Sequence, residues 1–207
     1  MIQIKSYHVT GNVVPTHSGH GCKKCVGRFM GVIDKLSSIA TRLNRNNVAE
    51  CPPACAQEIV AFVEGVVIPL GSVSDPAFSS GMLGPGCGIL PEGDVVCAPI
   101  NGVVSAIGNP NRHALCLYTD DGIEVLLHVG VNTSSLQNAF EPLVERGTFV
   151  HAGEPLLRFS RHKIEEAGCD PVVIGTITKG CTPNGARLLR QGMVRVGEPL
   201  LELVGRE

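Results

Sequence analysis

Two nine-residue stretches of this chain are near copies. Phe149-Val-His-Ala-Gly-Glu-Pro-Leu-Leu recurs 44 positions on as Met193-Val-Arg-Val-Gly-Glu-Pro-Leu-Leu. A shorter echo, Glu64-Gly-Val-Val and Asn101-Gly-Val-Val, lies 37 positions apart. Each long copy reads as strand, Gly-Glu-Pro turn, strand, with proline where it need not donate to a ladder. Two copies do not make a solenoid, which needs three or more stacked repeats. They predict equivalent hairpins in two halves of a sandwich. The rest of the chain agrees, because its short Val/Leu/Ile runs are cut by 25 Gly and 14 Pro, the punctuation of an all-β fold.

Between the shorter echo and the longer copies lies Gly122-Ile-Glu-Val-Leu-Leu-His-Val-Gly-Val-Asn-Thr. At period two, Ile123, Val125 and Leu127 face one way, and Glu124, Leu126 and His128 the other. Upstream, His113-Ala-Leu-Cys-Leu-Tyr-Thr-Asp-Asp-Gly reads as a strand entering a turn. With a two-residue loop at Asp120-Asp121, Leu115 meets Leu126 and His113 meets His128; a bulge at Gly122 shifts that register by one. Opposed side chains share a face, about 4.5–5.5 Å apart at Cβ, so two imidazoles are expected to converge. Such a pair suits metal binding, or phosphoryl transfer through a phosphohistidine, since an imidazole of ordinary pKa about 6.5 is a neutral nucleophile at pH 7. A third reading is a half-buried structural pair satisfied by backbone groups.

The segment Gly122-x-x-Val-Leu-Leu-His128-Val-Gly-Val-x-Thr133, with Asn-Arg-His113-Ala upstream, resembles the phosphohistidine signature of the glucose-class enzyme IIA proteins of the bacterial sugar phosphotransferase system. The similarity spans roughly residues 59–205. It implies a flattened antiparallel β-sandwich or barrel, His128 as the phosphorylated residue and His113 as its partner. It also implies transfer from the histidine-containing phosphocarrier protein to a sugar-specific IIB/IIC permease. On that reading Thr133 and His113 donate to phosphoryl oxygens and Asn111 orients His113. Phe78, Leu126, Val129, Val131 and Asn132 form the partner face, the apolar ones also shielding the N–P bond from water. Two positions depart from the family. Asn111 stands where Thr is frequent, and Asn132 stands where Asp is usual, which removes a negative charge from the rim. A regulatory binding module using the same face without onward transfer is the alternative. A zinc peptidase lacks its His-x-His plus Asp constellation here, and a swinging-arm carrier lacks its Met-Lys turn.

The remainder of the chain divides into a polar leader over 1–29, a helix over 30–45, a linker over 46–57 and the phosphocarrier domain over 58–207. In the helix, Val32, Ile33, Leu36, Ile39, Ala40 and Leu43 fall at helical spacing. That stripe suits a membrane surface or docking on the domain itself. Its Met30-Gly-Val-Ile-Asp-Lys-Leu start resembles the family's amino-terminal tail, which implies Met30 as the natural start and a disordered leader. Cys22 and Cys25 with Cys51 and Cys55 offer four thiolates for zinc; no other cofactor is required. Net charge is −2, which gives no general attraction to nucleic acid. No run reaches the roughly 20 apolar residues of a membrane span, and 1–29 lacks a signal-peptide core. Nine scattered cysteines do not read as a secreted disulfide framework. The expected location is cytoplasmic, peripheral at the inner membrane surface. His151 and His162 read as solvated, Phe140 as core, Cys87, Cys97, Cys116, Cys169 and Cys181 as small core or surface residues, and Lys163-Ile-Glu-Glu-Ala-Gly168 as a short helix.

Overall fold

The computed structural model describes residues 58–180 and 185–204. The leader, the helix expected over 30–45, the linker, Cys181 and the four candidate zinc thiols lie outside them. In chain order the strands are β1 (Glu58–Val60), β2 (Gly65–Pro69), β3 (Gly86–Pro91), β4 (Val95–Cys97), β5 (Gly102–Ile107), β6 (Ala114–Tyr118) and β7 (Glu124–Val131). They continue as β8 (Phe140–Pro142), β9 (Phe149–Val150), β10 (Pro155–Phe159), β11 (Asp170–Lys179), β12 (Ala186–Leu188), β13 (Gly192–Val194) and β14 (Pro199–Leu203). An eight-stranded sheet runs β13-β2-β3-β11-β7-β6-β5-β9, and two three-stranded sheets run β1-β14-β12 and β4-β10-β8. Every pairing is antiparallel. The sheets share one core: Ile59 and Leu201 come from one small sheet, Val96 and Leu157 from the other, and Leu117, Leu127 and Val173 from the large one. This is the antiparallel β-sandwich expected.

The echoes are the two halves of an internal two-fold. Ile59 pairs with Leu201 as Val96 does with Leu157, and Gly65 pairs with Val194 as Gly102 does with Val150. The halves bond reciprocally: Val60 N–H donates to the Pro99 carbonyl at 2.9 Å and Cys97 N–H to the Phe62 carbonyl at 2.7 Å. Even the ion pairs repeat with sign exchanged, Arg158–Glu141 on one side and Arg187–Glu202 on the other.

The Gly-Glu-Pro segments are equivalent, but they are not hairpins. Glu154 N–H donates to the His151 carbonyl at 3.0 Å, and the Glu154 carboxylate accepts from His151 N–H at 3.0 Å. Glu198 and Arg195 repeat this at 3.2 and 3.1 Å. With Gly153 and Gly197 at φ of +89° and +86°, each is a type II turn. Such a turn splays its strands, and here they enter different sheets. β9 joins β5 while β10 joins β4 and β8; β13 joins β2 while β14 joins β1 and β12. Each turn is pinned to the strand junction of its own half, Gly153 N–H to the Ala98 carbonyl at 2.8 Å and Gly197 N–H to the Ala61 carbonyl at 3.0 Å.

The β6–β7 hairpin adopts the shifted register. Thr119 N–H donates to the Ile123 carbonyl and Gly122 N–H to the Thr119 carbonyl, with Gly122 at φ +92°. The loop is therefore Asp120-Asp121-Gly122, a type I turn closed by a left-handed glycine. Leu115 then faces Leu127, and His128 faces Ala114 rather than His113.

Candidate functional site

β7 alternates as its sequence demands. Val125, Leu127 and Val129 are buried in the main core, while Glu124, Leu126 and His128 stand half-buried on the other face. Val129 is thus a core residue and no part of a partner face, which its place in the period-two pattern already required. Phase changes at Gly130, whose φ is +76° and whose missing Cβ would lie 2.4 Å from the Thr133 side chain. Val131 consequently points to the outer face. There it joins Val73, Phe78, Val172 and Ile174 in a second apolar cluster, with Leu126 packed against it.

His128 lies against that cluster, its ring centroid 5.1 Å from Phe78. His113 meets it edge-on, with centroids 4.6 Å apart and planes at 88°. His113 achieves this from outside the ladder. It precedes the first residue of β6, its carbonyl accepts from Val129 N–H at 2.8 Å, and Arg112 before it is left-handed at φ +62°. The backbone bend delivers the convergence that the two-residue loop was expected to give. Phe140 lies 6.0 Å from His113 and closes a third side, so it walls the site while also packing against the main core as expected.

Behind the pair runs a chain of hydrogen bonds. His113 Nδ1 contacts Asn111 Oδ1, and Asn111 Nδ2 donates to the Thr133 carbonyl at 2.6 Å. Thr133 is buried, and its hydroxyl donates to the Val129 carbonyl at 2.9 Å. Direct donation from Thr133 to a phosphoryl oxygen therefore does not fit: the hydroxyl closes the turn after Gly130, and the carbonyl anchors Asn111. Asn132 is exposed at the rim in a left-handed conformation.

Electrostatics hold both rings neutral. Burial, aided by the neighbouring His113 and opposed by Asp75 and the Gly130 carbonyl, brings His128 down to about 4. His113 is also lowered, by burial. His128 Nδ1 is buried and has no hydrogen-bond partner among the described residues. Asp75, which the sequence reading did not single out, caps the helix Pro76–Ser79 by accepting from Ala77 N–H at 2.8 Å. An Asp before Pro at a helix start is a recognisable cap, and here that cap carries a carboxylate to the site and sets Phe78 beneath the ring.

The other sequence candidates lie elsewhere. His151 and His162 are exposed, and His162 pairs with Glu166 at 3.1 Å. Cys87 and Cys97 are buried, while Cys116 and Cys169 are half-buried. The expected short helix is Arg161–Glu166, with Gly168 left-handed after it. Among the described residues no group of three or more His, Cys, Asp or Glu side chains is placed to hold a metal, and no helix is long and apolar enough to cross a membrane.

Fold and site together define an antiparallel β-sandwich domain with a shielded pair of neutral imidazoles on its central sheet. The family model for the phosphoenolpyruvate-dependent sugar phosphotransferase system, EIIA 1, matches residues 57–181, and the chain belongs to that family. Its domains are phosphotransferase components that transfer phosphate through histidine. The chain is similar to the PTS system mannose-specific EIIBCA component of Corynebacterium glutamicum, 40% identical over 139 residues, or 64% of this chain and 20% of that protein. It is also similar to the PTS system N-acetylglucosamine-specific EIICBA component of Escherichia coli, 33% identical over 194 residues, or 89% of this chain and 29% of that one. Among solved structures, glucose permease IIA from Mycoplasma capricolum matches with a TM-score of 0.63 at 29% identity, covering 72% of this chain and 96% of that one. The chain spans under a third of the length of these curated relatives.

Proposed function

We propose that this chain is a phosphocarrier of a sugar phosphotransferase system, with His128 as the residue that accepts and gives up the phosphoryl group. The observation that carries this reading is the neutral, half-buried His128 ring touching His113. A nucleophile held near pKa 4 keeps its lone pair at every physiological pH, so no base is needed to activate it. Its Nδ1 is buried, which puts that nitrogen out of a phosphoryl group's reach and leaves Nε2 to attack phosphorus. Phe78, Phe140 and Leu126 keep water from the N–P bond. The donor would be the histidine-containing phosphocarrier protein and the acceptor a sugar-specific IIB domain. The curated relatives support that acceptor, since their names join an A component to B and C components in one chain. Transfer between such groups needs no metal or nucleotide, and a cytoplasmic setting beside a membrane permease follows from the partners. Incubation with 32P-phosphoenolpyruvate and the two general transfer proteins tests this. Stoichiometric label on the chain and none on His128→Ala is expected; full labelling of the variant contradicts the assignment.

A further inference from the structure

Asn111 is held at both ends of its amide, by the Thr133 carbonyl and by His113 Nδ1. A backbone carbonyl only accepts, so the amide NH2 must face Thr133 and the amide oxygen must face His113. Turning the amide over would set two oxygens against each other. The contact with His113 therefore requires a proton on Nδ1. In a neutral imidazole that leaves Nε2 without one. An ionised phosphoryl group presents only acceptor oxygens, so a bare Nε2 has nothing to give it. A threonine hydroxyl, frequent at this position in the family that the sequence resembles, can donate as well as accept and so permits either tautomer.

We propose that Asn111 locks His113 in its Nδ1-protonated tautomer, so that His113 must take a second proton, on Nε2, to hold a phosphoryl group on His128. This rests on the carrier reading and adds a proton count to it. When phosphorus moves, the bond to the donor's ring nitrogen breaks and its electron pair stays with the donor. The His128 Nε2 lone pair forms the new bond. One proton from solvent joins His113 Nε2 and makes an imidazolium that donates to a phosphoryl oxygen; it departs when the phosphoryl group is passed on.

The surroundings permit this change of charge. His113 faces Asn111 from its own segment, His128 from β7 and Phe140 from β8. Of the charged residues nearby, Arg112 and Glu141 are exposed, Glu141 is paired with Arg158, and Asp75 acts on His128 from the helix side. Burial keeps His113 neutral in the empty site, and a phosphoryl dianion within hydrogen-bond reach opposes that burial and favours the cation. Asn111 is a positioning residue in this scheme, since it reaches the phosphoryl group only through His113.

Ring-15N NMR of the full chain tests both halves. Before phosphorylation, His113 should show a protonated Nδ1 and a bare Nε2; a protonated Nε2 with a bare Nδ1 overturns the proposal. After phosphorylation at pH 7, both nitrogens should be protonated, and a neutral His113 in that state overturns it too. A chain that takes no phosphoryl group contradicts the carrier reading, while the first spectrum still decides the tautomer. Asn111→Thr supplies the second measurement. Between the pKa of His113 in the unphosphorylated protein and the higher one it gains on phosphorylation, the equilibrium constant for accepting phosphate should fall about tenfold per pH unit relative to the Asn111→Thr variant, because one proton is taken up in one case and not in the other. Taking the ratio cancels the donor's own pH dependence. Equal slopes in the two proteins contradict the inference, and a merely structural role for Asn111 would change the intercept alone.

Discussion

The two faces of β7 are built to opposite ends. On one, Val125, Leu127 and Val129 are all but sealed from solvent in the shared core. On the other, His128 keeps a buried nitrogen without a partner and a pKa pushed far below that of free histidine. One strand thus carries a stabilising face and, a single residue away, a face where stability is given up. Burying a polar ring without its hydrogen bond costs of order 1–3 kcal/mol, and the fold tolerates this because the neighbouring side chains bury so much apolar surface. The lesson is that the nucleophile is kept neutral by the core it leans on and not by a dedicated base.

That contrast can be broken most severely from the core side. Leu127→Ala should lower unfolding stability by about 2–5 kcal/mol, since a fully buried leucine leaves a cavity. Chemical denaturation reads this, and a loss below about 1 kcal/mol would show that the inner face is not the load it is taken to be. The site side predicts a pH signature of similar size. His128 titrates near 4 when folded and near 6.5 when unfolded, so between those values the unfolded chain binds the extra proton. Stability is fully present above pH 6.5 and is lost as pH falls toward 4, by up to about 3 kcal/mol. Folded His113, also lowered, adds in the same direction. His128→Gln should flatten that part of the profile; an unchanged slope would mean the ring is not held neutral by burial. The smallest effect belongs to Asp75→Asn. The amide keeps the helix cap but loses the charge, so the His128 pKa should move further down in an NMR titration, and an upward shift would contradict the placement of that carboxylate.

Much of this was legible in the sequence, and the exceptions have physical causes. Alternation along β7 gave the two faces directly, and the paired histidines were found from strand and turn signals. The register was misjudged by one residue because Gly122 has the conformational freedom to enter the loop. The same slip left His113 outside the ladder, where only the bend at Arg112 brings its ring back to His128. The copied Gly-Glu-Pro stretches revealed an internal two-fold, but not that each turn hands its strands to different sheets. That follows from bonds to Ala61 and Ala98, which no local pattern encodes. Thr133 looked like a phosphate donor because it is polar and close, yet its hydroxyl is directed inward to the Val129 carbonyl. Phe140 reads as core alone, and Asp75 escapes notice, because their access to the site depends on loops whose path composition does not specify.

The central claim is that phosphorus is carried on one particular nitrogen of one particular ring. Phosphorylating the 15N-labelled chain and reading the one-bond coupling between phosphorus and ring nitrogen tests it directly. The account predicts coupling to His128 Nε2, with the buried Nδ1 still protonated. Coupling to His128 Nδ1, or to His113, would contradict it.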